Sequence, residues 1–137
     1  MKSLKSFFHV FLFFVLGSCN YMQEAESPLV GMWSFIEGSS NGKPNFNYEE
    51  DRTKVFNSDG TFYISHHEQG NENIEFKGKF ETVDDNHFKE ILNRSTSVIY
   101  AYEIKNDTLT FEGELKIPME NGNHRSVLVK EKWARKN

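Results

Sequence analysis

Residues 74–83 read Ile74-Glu75-Phe76-Lys77-Gly78-Lys79-Phe80-Glu81-Thr82-Val83. Ile74, Phe76, Gly78 and Phe80 alternate with the charged residues Glu75, Lys77, Lys79 and Glu81. Successive side chains of a strand point to opposite faces, so this pattern predicts an antiparallel strand with one buried and one wetted face. The same period of two continues outward. Leu109, Phe111, Gly113, Leu115 and Ile117 share a parity, as do Val98, Tyr100, Tyr102 and Ile104. Val127, Val129, Glu131 and Trp133 do so near the C-terminus. Further strands are expected at Val30–Glu37, Arg52–Asn57, Thr61–His66 and Phe88–Leu92.

Asp/Asn/Gly links separate these runs at Ser58-Asp59-Gly60, Asp84-Asp85-Asn86, Asn106-Asp107 and Asn121-Gly122-Asn123. Such short links favour hairpins between sequential neighbours. Gly38–Asp51, with two glycines and Pro44, reads as a loop or lid. No segment carries a convincing helical stripe. The expected fold is all-β: one small antiparallel up-and-down barrel of about eight strands, over residues 29–137. Closure removes the exposed edges that so large an antiparallel sheet would otherwise carry. A two-sheet sandwich is the competing architecture, but its crossovers need more long loops than the one present.

The chain has 137 residues, the length of one ordinary domain. Its first 18 residues hold two lysines, no acid and five of the 13 phenylalanines. The rest carries 14 Lys+Arg against 20 Asp+Glu. An acidic domain offers no general phosphate-binding surface, so no nucleic-acid partner is expected. Lys2 and Lys5 precede the apolar run Phe7–Leu16, which is too short to span a bilayer and has the length of a signal-peptide core. Leu16-Gly17-Ser18-Cys19 follows, and Cys19 is the single cysteine.

This tetrapeptide resembles the lipobox of bacterial lipoproteins. The resemblance implies a signal peptide over 1–18, acylation of Cys19 by palmitate-type chains and a membrane anchor. Residues 19–28 then form a flexible tether. Asn20 stands where an inner-membrane retention signal carries Asp, which favours the outer membrane of a bacterial cell envelope. The alternative is a free cysteine after an ordinary signal peptide.

A second resemblance concerns the domain. Gly31-Met32-Trp33 opens the first strand and Glu131-Lys132-Trp133-Ala134-Arg135 closes the last. Together with Asp59-Gly60-Thr61-Phe62, Phe88-Lys89-Glu90-Ile91 and Asn106-Asp107-Thr108-Leu109-Thr110, these look like the small lipocalin-like, calycin-type lipoproteins of bacteria. The resemblance implies that Gly31 allows close approach at the barrel end, that Trp33 plugs it, and that Arg135 or Lys132 stacks over the ring. It names no activity.

Glu90 and Glu131 share parity with apolar neighbours and are expected to face inward, where a carboxylate needs a partner or a raised pKa. Arg52, Lys54, His66, Tyr100 and Tyr102 are the candidate partners. One reading is an internal network that fixes register. The other is a ligand-binding set of Glu90, Glu131, Tyr100, Tyr102 and His66 for the head group of a small, partly apolar molecule. His66-His67 is placed at a strand end or rim; adjacent strand residues point apart, so no shared metal is expected. His87 and His124 are read as solvated turn residues. Phe46, Tyr48, Phe56 and Tyr63, near the long loop or on the less apolar parity, either pack the loop over the barrel in the ordinary way or line a mouth or a partner surface. No nucleotide-binding or nucleophile motif occurs, so no enzyme activity, cofactor or metal is expected. Ten inward aromatic rings compete with any pocket, which predicts a narrow or shallow cavity open at one rim. The alternative function is an envelope module that binds a protein partner through its outer surface.

Overall fold

The computed structural model describes residues 25–45 and 51–137; Cys19, Phe46 and Tyr48 lie outside them. The described chain is all-β. Its nine strands are β1 (Gly31–Ser40), β2 (Lys43–Pro44), β3 (Arg52–Phe56), β4 (Thr61–Glu68), β5 (Asn71–Asp84), β6 (His87–Ile91), β7 (Ser97–Lys105), β8 (Thr108–Pro118) and β9 (His124–Lys136). From β3 to β9 each strand pairs antiparallel with the next; β1 pairs with both β3 and β9 and closes the ring. The result is an eight-stranded barrel with β2 attached to the far end of β1, and closure excludes the two-sheet sandwich.

Left-handed residue pairs shape several turns. Asn41-Gly42, Gln69-Gly70 and Asn106-Asp107 each place two successive residues at positive φ, as a two-residue hairpin of the primed type requires. Asp59 Oδ1 accepts both the backbone N–H and the hydroxyl of Thr61, at 2.9 and 2.6 Å. Those two bonds hold the Asp59 carboxyl below its usual range.

Alternation places the core. Trp33, Phe56, Phe62, Phe80, Phe88, Tyr100, Tyr102, Leu109, Phe111 and Trp133 form one buried cluster. Phe88 is its hub, with Phe56, Tyr100, Tyr102 and Phe111 at 5.2–5.8 Å between ring centroids. Phe56 therefore belongs to the core and not to a mouth; it is 1% exposed because its parity in β3 is that of inward Lys54.

Three expectations are corrected. A bulge in β5 sets Ser65 opposite Ile74 and Ile64 opposite Phe76, leaving Glu75 as the extra residue. Ile74 consequently turns outward and is half exposed, while Glu75 joins the inward side. Residues 38–45 are not a loop: β1 runs on to Ser40 and folds back at Asn41-Gly42 into β2. The Asn41 side chain fixes that return by accepting the Leu128 N–H at 2.8 Å. Finally, His87 and His124 open strands β6 and β9 instead of lying in turns, and His87 Nδ1 sits 2.9 Å from Asp84 Oδ1.

Two inward glycines give the barrel its tight curl. Gly78 pairs with Phe62, and a Cβ there would lie 2.6 Å from that ring and 2.9 Å from the Ile91 carbonyl oxygen. Gly113 pairs with Tyr100, with the same conflict at 2.7 Å and a 2.6 Å approach to Ile99 O. Each aromatic ring lies across the glycine opposite it. Gly113→Ala forces both ring and backbone to move, an overpacking cost of about 1–3 kcal/mol. The expected outcome is a cooperative melt shifted down by roughly 4–15 °C, read by circular dichroism.

Candidate functional site

The two barrel ends differ. At one end lie the β3–β4, β5–β6 and β7–β8 turns and the entry of the chain into β1. Leu29 and Trp33 are fully buried there. Trp33 Nε1 donates to Leu29 O at 2.8 Å, and the Arg135 guanidinium carbon stands 4.2 Å from the centre of the Trp33 ring. Gly31, at φ +135°, leaves the space that guanidinium needs: a Cβ would sit 3.1 Å from Nη1. Arg135 also donates to Val30 O and Pro28 O and lies 3.5 Å from Asp107. This end is sealed.

Toward the other end, inward residues lose their cover. Phe35, Ile64, Phe76, Leu92, Leu115 and Val129 pack on the core but are only partly buried. This is the mouth, bounded by the β4–β5, β6–β7 and β8–β9 turns. His66 lies on its inward wall, in β4, with Nδ1 2.9 Å from Glu75 Oε1. Arg52 grips the same carboxylate from β3, donating from Nε at 3.1 Å and Nη2 at 2.7 Å to Oε2. A guanidinium and an imidazole thus converge on one carboxylate, which the bulge in β5 delivers. Glu131 is half-buried on β9, and its Oε2 accepts the Trp133 indole N–H at 2.9 Å. Among the described residues no ion pair reaches Glu131.

Below the mouth the remaining candidates are buried. Glu90, 3% exposed, contacts Lys54 Nζ across the barrel from β6 to β3. Four rings surround that ammonium: Phe111, Phe62, Phe56 and Trp133 at 4.8–5.8 Å. Burial pushes the Glu90 carboxyl up; Lys54 pulls against that, and Glu131 adds a smaller upward push. Tyr100 packs at a tilt against Phe111, with ring centroids 4.7 Å apart, and burial raises its phenol, followed by the charges of Glu90 and Glu131. Tyr102 lies lower, against Phe88, and burial likewise raises it, helped by Asp85 and Asp84. The structure therefore brings His66 and Glu131 to the mouth and keeps Glu90, Tyr100 and Tyr102 in the packed interior.

Sequence parity found Glu90 and Glu131 but missed Glu75, because a bulge leaves no mark in the alternation. It also missed an open hollow of about 670 Å³ against the β7–β8–β9–β1 wall, edged by Pro44 of β2. Outward positions dominate its lining, but the candidates Tyr102 and Glu131 and the core ring Phe111 also border it, and the ion pairs Lys130–Glu112 at 2.9 Å and Lys132–Glu37 at 3.8 Å lie among its lining residues. The Asn41-Gly42 pair was the available signal for this feature. Among the described residues no group of three or more metal-type ligands occurs, and no helix is long and apolar enough to cross a membrane.

Two tests address the interior pair. Lys54→Met leaves a buried carboxyl without its partner and is expected to cost about 3–5 kcal/mol in urea unfolding, whereas Lys54→Met with Glu90→Leu recovers most of that loss. The raised Glu90 carboxyl also makes the folded state hold more protons than the unfolded chain, from the ordinary value of 4.5 up to the raised one. Stability contributed by this group therefore falls as pH rises through that window. Glu90→Gln is expected to remove that slope from the pH profile of unfolding free energy.

No curated protein matches the chain. Residues 28–137, which include every strand of the barrel, match a family described as Domain of unknown function (DUF4488), and the chain belongs to that family.

Proposed function

We propose that this protein is a lipid-anchored bacterial envelope lipoprotein whose lipocalin-like barrel holds a small, partly apolar molecule in its mouth. One observation carries the reading. The inward surface changes along the barrel axis, from rings sealed at 0–1% exposure (Trp33, Phe56, Phe62, Phe88) to partly exposed apolar residues with polar groups among them. Apolar walls with a few convergent polar groups are the usual lining of a small-molecule site. The packed lower half leaves room only near the rim, so the ligand is small. Binding without catalysis is part of the proposal.

The anchor rests on the Leu16-Gly17-Ser18-Cys19 signature, with outer-membrane placement favoured by Asn20. The lipocalin likeness rests on Gly31-Met32-Trp33 and Arg135, and the Arg135–Trp33 stacking geometry supports it. A second reading has its own observation: the charged outer hollow beside β2 suits an envelope protein partner better than an apolar ligand.

Native mass spectrometry of the protein taken from its own membrane fraction tests the ligand. The expected spectrum shows a discrete extra mass that is lost on denaturation. A bare mass from gently isolated protein, with crosslinks formed through Lys130 or Lys132 in intact cells, supports the partner reading instead. For the anchor, Cys19→Ala is expected to leave unprocessed precursor without palmitate label; normal labelling of that variant refutes lipidation.

A further inference from the structure

The outer hollow plays no part in the ligand reading. Its volume of about 670 Å³ is that of a recognition cleft, for which roughly 300–1,000 Å³ is usual. Small residues leave the room: Ala101 and Gly38 line it, and Pro44 of β2 stands at its edge. Four carboxylates border it, Glu37, Glu103, Glu112 and Glu131, against two ammonium groups, Lys130 and Lys132. Both lysines are taken, by Glu112 and Glu37. Among the described residues Glu131 has only the neutral indole of Trp133, and Glu103 has no ion pair. Lys105 follows Glu103 on the same face of β7 but forms no ion pair with it.

Apolar surface lies beside this excess of negative charge. Along β7, Val98, Tyr100 and Tyr102 are buried, and Ile99, Ala101 and Glu103 form the exposed outward row. Ile99 is 54% exposed, and Leu128, two residues before Lys130 on β9, is 49% exposed. Both stand on a face where alternation ordinarily puts polar side chains. An exposed apolar lip next to unanswered carboxylates complements a segment that carries a large apolar residue and a lysine or arginine. A second copy of this chain is a poor match, because residues 19–137 hold 14 Lys+Arg against 20 Asp+Glu and two such domains repel. The hollow is on the outer wall, so a protein reaches it without entering the barrel.

We propose that the hollow docks an extended, basic segment of a partner protein. One large apolar side chain of that segment fills the space over Ala101 against Ile99, and a lysine or arginine two residues further on pairs with Glu103. The spacing follows from β7, where Ala101 and Glu103 stand two residues apart on one face, about 7 Å. This rests on the partner reading above, not on the ligand reading, and it specifies the charge of the partner. Glu103 is the specificity-determining residue.

The test is photo-crosslinking of the full chain in its own cells, with Ile99→p-benzoylphenylalanine at the lip of the hollow. The composition of the captured segment and its dependence on charge decide the matter, not capture itself. The expected adduct carries a lysine or arginine within about three residues of the attachment point. Glu103→Lys in the same chain is expected to lower the adduct yield roughly tenfold, the scale of one charge-assisted pair. Glu120→Lys makes the same change in net charge at the exposed β8–β9 turn and is expected to leave the yield unchanged. Melting temperatures equal to that of the parent show that both variants are folded. An acidic or uncharged captured segment, an adduct with a second copy of this chain, a yield indifferent to Glu103→Lys, or an equal loss in Glu120→Lys overturns the inference while leaving a contact surface in place. If no adduct forms, the inference and the partner reading both fall, and the ligand reading of the mouth is untouched.

Discussion

The contact between Lys54 and Glu90 is the constraint around which the barrel is arranged. It joins β3 to β6, three steps apart around the ring, through the middle of the interior. Neither group can be left alone there, because an isolated buried charge costs several kcal/mol. The rings around the ammonium follow from this. Phe62, Phe111 and Trp133 offer their electron-rich faces to a cation that has given up water. A one-residue slip of either strand would turn its partner outward, so the pair also fixes register.

Above and below that level the barrel serves different ends. Below, aromatic rings fill the volume, and Leu29, Trp33 and Arg135 finish the plug. Above, the same inward rows continue with smaller or polar residues, and water reaches them. An eight-stranded interior is barely large enough to be filled by side chains, so a modest change in residue size along the axis decides where space remains. The two inward glycines lie near this change. Gly78 and Gly113 let Phe62 and Tyr100 fold flat against the wall.

Much of this was legible in the sequence, and what was not has specific causes. Alternation located every long strand, since one face of each meets the core. It failed at Ile74 and Glu75, because a bulge shifts parity by one residue without altering composition. It misplaced Phe56, whose neighbours Lys54 and Arg52 made an inward row look like a wetted one. That row is polar because its charges are answered by Glu90 and Glu75, on strands distant in sequence. The Asn41-Gly42 pair carries the hairpin chemistry, but it sits inside a long polar stretch that reads as a loop. Of the site, the inward carboxylates were legible and their partners were not, since pairing across a barrel depends on closure.

The Arg135 latch has a geometric consequence. Its donors reach Val30 O and Pro28 O, so the chain enters the barrel beneath the plug and the last strand ends beside it. Both the first and the last described residues therefore leave from one pole. Any attachment made through the N-terminus therefore meets the barrel at its closed base, like a cup held at the stem, at the pole opposite the rim with Arg52 and His66.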